Sequence, residues 1–431
     1  MSRLLIRGGR VLDPSVDLDA PADVLIEGGV VVAVGRDLPA GEGEVIDASG
    51  QWVAPGFVDV HVHLREPGQE YKEDLASGGR AAVAGGFTTV ACMANTNPVN
   101  DDPSVTKYIL DRAAKESPAR IHPIAAATRG LAGKVMTEMA ALREAGAIGF
   151  SDDGEVITDA GVMRRVLQYS KLVGAPVIVH AEDPGLRGDG VMNEGVVSTR
   201  LGLPGNPVEA EELYVARDIR LARLTGARLH IAHVSSGGSV ELVRMAKEEG
   251  LSVTAEVTPH HLALTDDANA GFDTNTKMAP PLRTERDIAT LRAALAEGVI
   301  DCVATDHAPH AVYEKDVEFT AAPCGVIGLE TAFAIVSELV RRGEISPLEL
   351  IRRLATTPAR IFDLPSGTLA RGAAADVVIL DPAAVWTYDP AEGFSKSRNS
   401  PWAGQQLRGR VVATFVDGRL VYRAGRGVVV R

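Results

Sequence analysis

The 431-residue sequence is poor in cysteine. Cys92, Cys302 and Cys324 lie far apart and none belongs to a CxxC pair, which excludes a disulfide framework. Three such thiols suit a reducing compartment, and a cytoplasmic location is the expectation. Long apolar runs are missing too. No stretch approaches the ~18 residues of a membrane span, and Gly8 and Asp13 interrupt the N-terminal segment before it reaches signal-peptide length. Positive charge is in deficit, with 44 Lys and Arg against 57 Asp and Glu and a net charge of −13. That disfavours nucleic acid or an anionic membrane as the main partner. An anionic small substrate stays compatible, because it responds to the local field of its pocket. The patterns GxSxG, GxxxxGK[ST] and HExxH are also absent, which leaves the chemistries they carry without support.

What is present is the composition of an ordinary soluble globular protein, 45% hydrophobic and 23% charged. The length exceeds one typical domain and fits a barrel of roughly 250 residues plus a smaller module. Residues 1–54 read as short β-branched runs closed by Gly, Pro or Asp, and residues 366–431 read the same way. Asp417-Gly418, between VVATFV and RLVYR, is a hairpin signal. Neither end has enough strands for a sheet covered on both faces, so one small β-sandwich built from both termini is expected. Residues 55–365 alternate strand and helix. Eight apolar runs, at 58–64, 87–93, 119–126, 147–152, 176–182, 228–235, 251–259 and 300–307, predict a parallel TIM-type (β/α)8 barrel. An open doubly wound sheet is the alternative, but it would gather functional residues at one switch point.

Candidate ligands stand at the ends of these runs: His61 and His63 in VDVHVHL, Asp153 in GFSDDG, His180 in PVIVHAE, His233 in HIAHVSS and Asp306 in CVATDHAPH. Imidazoles and carboxylates suit a divalent ion such as Zn²⁺. Six groups exceed one tetrahedral sphere, so two ions sharing a bridging ligand are expected. Ligands drawn from many strand ends mark a catalytic site. Strand alternation puts His61 and His63 on one face with Asp59, and Val58, Val60 and Val62 on the other. The same parity selects His233 over His230, which is expected to be packed or helix-facing. Asp306 is the best general acid/base in the chain, able to bind metal through one oxygen and exchange a proton through the other. His122 reads as core. His260 and His261 in TPHH either touch the site or shape it. The glycines of GGSVELV precede a helix and offer a weak anion-binding signal.

PGFVDVHVHLREPG, GGFTTVACMANTNP, GFSDDG, VHAED, HVSS, VTPHHL, KMAPPLR, ATDHAPH, GVIGLE, TTPARIFDL, ADVVILDP and SRNSPWAGQQLRGRV run in order through nearly the whole chain. In these stretches it resembles the cyclic amidohydrolases of the amidohydrolase superfamily, and among them the dihydroorotase family of the long bacterial type. The resemblance implies the barrel and sandwich described above, and about two Zn²⁺ per subunit. It implies reversible cyclisation of N-carbamoyl-L-aspartate to L-dihydroorotate and water in pyrimidine synthesis. A metal-activated hydroxide would open the ring with Asp306 as the proton carrier. Arg65, read as sharing the strand face of His63, matches the family's carboxylate anchor and offers a bidentate fork. Asn97 and His310 match further carboxylate contacts, Asn275 a contact to the ring, and backbone near Gly325 and Gly328 completes the pocket. A homo-oligomer is implied, with aspartate transcarbamoylase as a candidate partner.

Two departures stand out. Many relatives bridge the metals with a carboxylated lysine at the end of strand four, where this chain has GFSDDG. Asp153 is expected to take that place, with Asp152 beside it as the alternative. The family often has Asn where this chain has Ala279. Competing readings are a hydantoinase, dihydropyrimidinase or allantoinase, which usually keep the lysine and lack the Arg65–Asn97 anchor. A metal-free scaffold relative is another, but it would have lost ligands that this chain retains.

Overall fold

The computed structural model describes residues 3–429; residues 1–2 and 430–431 of the two terminal pieces lie outside the described residues. The N-terminal piece forms β1 (Arg3–Asp13), β2 (Leu18–Glu27), β3 (Val30–Gly35), β4 (Glu44–Asp47) and β5 (Trp52–Pro55). The barrel strands follow: β6 (Phe57–Val62), β7 (Phe87–Cys92), β8 (Arg120–Pro123), β9 (Phe150–Ser151) and β10 (Val177–Val179). A two-strand excursion, β11 (Met192–Asn193) with β12 (Gly205–Asn206), precedes β13 (Leu229–Ile231), β14 (Val253–Val257) and β15 (Cys302–Val303). The C-terminal piece supplies β16 (Val377–Thr387), β17 (Gln406–Val416), β18 (Arg419–Arg423) and β19 (Gly427–Val428).

β6-β7-β8 and β9-β10-β13-β14-β15 are two parallel runs. Bridges Ala125↔Phe150 and Val62↔His307 join them at both seams, which closes an eight-stranded barrel rather than an open sheet. Asp59 reinforces the second seam. Its carboxylate accepts from Thr305 N at 3.2 Å and Thr305 Oγ1 at 2.6 Å, and burial lifts its pKa to about 7. The strands are shorter than the apolar runs that predicted them, because in several runs the last residues, among them His63, His180, His233 and Asp306, leave the strand and turn into the site.

Helices cover the outside at the expected places, among them Leu75–Ala84, Ala160–Leu172, Glu209–Thr225, Gly237–Glu248 and Glu285–Glu297. Glu285–Glu297 shows why they start and stop. Thr284 and Asp287 form a capping box, and Gly298 ends the helix at φ +85°, a conformation costly for other residues. Outward-facing Val90, Val177, Ile231 and Val253 pack with helix residues such as Val166, Val215, Val243 and Leu291. Val58, Val60, Ile178, Ala232 and Ala304 fill the barrel interior over Phe362.

The terminal pieces make one nine-stranded sheet, ordered β19-β18-β17-β16-β5-β1-β2-β3 with β4 also on β1. It folds over its own core of Ile6, Val24, Ile26, Val53, Val377, Ile379 and Phe415 as a β-sandwich. The joint between the ends is β5 against β16, antiparallel, from Trp52↔Leu380 to Pro55↔Val377. Asp417 and Gly418, at φ 51° and 69°, make the predicted hairpin turn.

Candidate metal centre

Strand alternation does not place the ligands as expected. Pairing of β6 with β7 is irregular between Asp59 and Val62. Val58 and Val60 therefore face the barrel interior while Val62 packs outward with the helices, so the three valines do not share a face. β13 ends at Ile231, and His233 turns inward at φ 34°. Arg65 is not on a strand face either; it follows the end of β6 at φ 64°. Asp306 sits at φ 46°. Three candidate residues thus hold the left-handed conformation uncommon outside glycine, and such strain concentrates where function needs a particular direction.

These turns bring all six candidate ligands together. His63 Nε2 lies 3.1 Å from Asp306 Oδ1, and His61 Nε2 lies 3.5 Å from the same oxygen. Asp153 stands between two histidine pairs. Its Oδ2 is 3.4 Å from Nε2 of both His61 and His63, and its Oδ1 is 3.5 Å from His233 Nε2 and 3.7 Å from His180 Nδ1. One carboxylate therefore presents an oxygen to each pair, the geometry of a bridge. Asp152 points away and accepts from Thr128 N at 2.8 Å and from the Thr128 hydroxyl.

The donor set fits a divalent metal. His61 Nε2 and Asp153 Oδ1 are buried and have no hydrogen-bond partner among the described residues, though both point into the cluster. Such orphans cost free energy unless something else satisfies them. Burial disfavours charge on His61, yet Asp153, Glu256 and Asp306 raise its pKa well above the usual value. A field that attracts a proton there attracts a cation.

Sequence reasoning missed Glu256. It lies fully buried on β14, and its Oε1 accepts from His61 Nδ1 at 2.6 Å. Its Oε2 meets His230 Nε2 at 3.0 Å, and His230 Nδ1 meets Thr254 Oγ1 at 2.8 Å. His230 thus faces inward, not toward a helix. Glu256 fixes the His61 tautomer so that Nε2 offers its lone pair to the cluster. The signal in the sequence was an isolated glutamate within the apolar run VTAEV.

Beyond Asp306 the outcome is mixed. Arg65 is buried, donates from Nε to Pro309 O at 3.2 Å, and feels the charges of Asp306 and Asp153. Asn97 is exposed; the asparagine at the cluster is Asn95, whose Oδ1 meets His63 Nδ1 at 2.9 Å. His310 and Asn275 share a cavity of about 300 Å³ with Lys315 and Arg398. Burial, then Arg65, Lys315 and Lys72, lower the His310 pKa to about 2, so the ring is neutral, and its Nε2 donates to Cys324 O at 2.9 Å. The amides of Gly325 and Gly328 are already bound, to Lys277 O at 2.9 Å and His307 Nδ1 at 3.2 Å, so neither N–H is free for a ligand.

His261 shapes the wall, with Nδ1 on Thr258 Oγ1 at 2.8 Å and Nε2 on Pro280 O at 3.0 Å. His260 is buried within electrostatic reach of Asp306, His233 and His61. His122 is half-buried on β8. GGS opens the helix Gly237–Glu248 rather than preceding it, and its first amide is taken, since Gly237 N donates to Asp287 Oδ1 at 3.0 Å. A larger cavity, about 400 Å³, lies beside Phe333, Trp386 and Tyr422 and holds none of the candidate residues.

A closed (β/α)8 barrel with histidines and carboxylates converging at its strand ends defines a metal-dependent hydrolase architecture. The model of the amidohydrolase family matches residues 52–421, and the chain belongs to that family. Among curated relatives, a dihydroorotase of Anaeromyxobacter dehalogenans is 52% identical over 426 residues, covering 98% of each chain. One from a Geobacter species is 51% identical over 423 residues, covering 98% of this chain and all of its own. At that identity and coverage the chain is a member of the dihydroorotases, and so a cyclic amidohydrolase. Its fold is similar to that of an L-hydantoinase from Arthrobacter aurescens, with a TM-score of 0.90 at 27% identity over 100% of this chain and 98% of that one. A dihydropyrimidinase from Brevibacillus agri gives 0.82 at 27%, over 98% and 95%. Among the described residues no helix is long and apolar enough to cross a membrane.

Proposed function

We propose that the chain interconverts N-carbamoyl-L-aspartate and L-dihydroorotate with water, acting on a small anionic substrate. The observation that carries this is Asp153 facing two histidine pairs at once, with Arg65 and His310 beyond Asp306. His61, His63 and Asp306 would hold one Zn²⁺ and His180 and His233 a second, with Asp153 shared between them. When bound, the pair supplies a Lewis acid and a water of lowered pKa.

The chain's own groups do the rest. Asp306 turns Oδ1 toward His61 and His63, which leaves Oδ2 to carry a proton between the attacking water and the ring nitrogen. Arg65 binds the substrate carboxylate, and Asn95 takes the place expected for Asn97. His310 is neutral in the free chain, with Nε2–H on Cys324 O and Nδ1 unpartnered; beside a bound carboxylate it takes up a proton at Nδ1 and donates it to that anion, and Asn275 borders the cavity. Backbone near Gly325 and Gly328 acts by shaping the wall rather than by donating. Lys315 and Arg398 bring positive charge to the cavity, and Asp316 in the same lining offsets part of it. The same reading takes residues 55–365 as the catalytic barrel and residues 1–54 and 366–431 as one β-unit, in a cytoplasmic homo-oligomer.

The test is an assay of purified protein of measured metal content with dihydroorotate, hydantoin and allantoin. Turnover of dihydroorotate far above the other two is the expected result. Preference for a neutral ring would replace this reading with that of a hydantoinase.

A further inference from the structure

The stretch Phe394–Ser400 belongs to the connection between β16 and β17, yet it leaves the β-unit and packs on the barrel. It has no regular secondary structure, and still Ser395, Ser397, Asn399 and Ser400 are all buried. A buried irregular segment must satisfy its polar groups through side chains, and here the partners belong to the loops around the site. Ser397 Oγ donates to Lys72 O at 2.8 Å, and Lys396 N donates to Glu73 Oε1 at 3.2 Å. Glu73 also binds the Ser395 hydroxyl and, at 3.3 Å, His307 Nε2, next to Asp306.

Asn399 does the most. Its Oδ1 accepts from His310 N at 3.1 Å, and its Nδ2 donates to Ala308 O at 2.9 Å and Gly325 O at 3.0 Å. Its own carbonyl accepts from Ile327 N at 2.9 Å. One side chain thus ties the Ala308–His310 loop to the segment after Cys324, whose carbonyl in turn holds the His310 ring. The partners also fix which way the amide points, because one N–H and two carbonyls admit only one orientation. Aspartate would set a carboxylate against two carbonyl oxygens. Leucine would leave three buried groups unpaired.

We propose that Asn399, delivered by the C-terminal β-unit, is a positioning residue for the carboxylate side of the substrate pocket, acting through His310 and the Cys324–Gly325 backbone. This rests on the reading of His310 as a substrate contact. None of the six metal-facing residues bonds to Asn399, so the role separates from metal binding. Displacing a contact by about 1 Å can cost on the order of 100-fold.

The experiment compares Asn399→Asp with His310→Ala in the full-length, metal-loaded protein. It reads KM and kcat for dihydroorotate, bound metal, and metal affinity by chelator competition. The expected result for Asn399→Asp is a KM raised by about 10- to 100-fold, with metal content and affinity unchanged and kcat much less affected. If His310→Ala raises KM and Asn399→Asp does not, the positioning role is overturned and the reading of His310 stands. If His310→Ala leaves KM unchanged, that reading falls, and the proposal with it. Equal loss of metal, kcat and KM in Asn399→Asp would show general structural damage and overturn the proposal. Should Asn399→Asp fail to fold, Asn399→Ser keeps a small polar group at the position and is judged by the same outcomes.

Discussion

Removing the Glu256 carboxylate should weaken metal binding from outside the ligand set. Its oxygens receive His61 Nδ1 at 2.6 Å, His230 Nε2 at 3.0 Å and His233 N at 3.3 Å, so two of the six metal-facing residues lean on it. Burial alone would raise its pKa, but His61 and His230 outweigh burial and bring it to about 2, so the group is an anion. Glu256→Ala strands up to three buried donors, each worth roughly 1–3 kcal/mol when unpaired. Relaxation recovers part of that, and a net loss of about 3–5 kcal/mol of stability is expected. Freed to rotate or change tautomer, His61 should bind metal about 10- to 100-fold more weakly, the usual cost of losing such a partner. Glu256→Gln should be milder. The amide oxygen can still accept from His61, while its NH₂ is met if His230 changes tautomer, accepting at Nε2 and donating from Nδ1 to Thr254 Oγ1. The assay is Zn²⁺ competition against a chromophoric chelator at fixed pH, with urea unfolding of the metal-free protein alongside. His230→Leu should cost less in the Glu256→Ala background than alone, because the two share one network. Zn²⁺ affinity in Glu256→Ala equal to that of the unaltered protein would refute the reasoning.

Asp153→Ala should lower occupancy of at least one metal and remove most activity, while Asp152→Ala, which loses only its bonds to Thr128, should be milder; stripped protein should recover with Zn²⁺ in carbon-dioxide-depleted buffer as fully as with bicarbonate. The reverse ranking of the two aspartates in metal analysis would contradict the bridge. Asp306→Asn should retain the fold and most metal but lose about 10²–10⁴-fold in both reaction directions, and near-normal turnover would remove Asp306 from the proton path. Arg65→Lys should raise KM for dihydroorotate strongly, since lysine lacks the planar fork; equal loss on a neutral cyclic amide would mark Arg65 as structural. Lys315 has a folded-state pKa lowered by burial from 10.5 to about 8. The unfolded chain therefore holds the proton more tightly, so this group's penalty, on the order of 3 kcal/mol, is full below about pH 8 and fades as pH rises to about 10.5. Stability of the unaltered protein relative to Lys315→Met should accordingly climb by about 2 kcal/mol between about pH 7.5 and 9.5 in urea titrations; a flat difference would mean the group titrates normally.

The residues that end apolar runs were legible from sequence, because an imidazole or carboxylate after a buried strand needs a partner. Their directions were not. Parity assumes that the strand continues, whereas Arg65, His233 and Asp306 all lie past a strand end with φ reversed. His233 faces Asp153, but parity does not explain it, since His233 does not share the outward direction of Ile231. Asn95 and Asn97 are separated by two positions in a turn, where no periodicity ranks them. Glu256 looked like one polar interruption in a strand. Asn399 was invisible, because its meaning depends on Ala308, His310 and Gly325, which only the folded chain places beside it. The barrel, the sandwich from both ends and the Asp417-Gly418 hairpin were readable because each is a repeated pattern rather than a single direction.

The pairing of β5 with β16 also sets an order of events during synthesis. β5 leads directly into β6, the strand that carries His61, but its partner spans Val377–Leu380. At ~5–20 residues per second, the ribosome needs between roughly 15 s and 1 min to supply that partner. All six metal-facing residues emerge before it does. The nascent chain therefore carries all six of these residues while β5, paired with β1 on one side, keeps its other edge open, and such edges invite pairing with other chains. Rapid capture of β5 once residue 380 emerges would shorten that exposure, and a holdase that shields the first 55 residues should raise the yield of active protein more than one acting on the barrel helices.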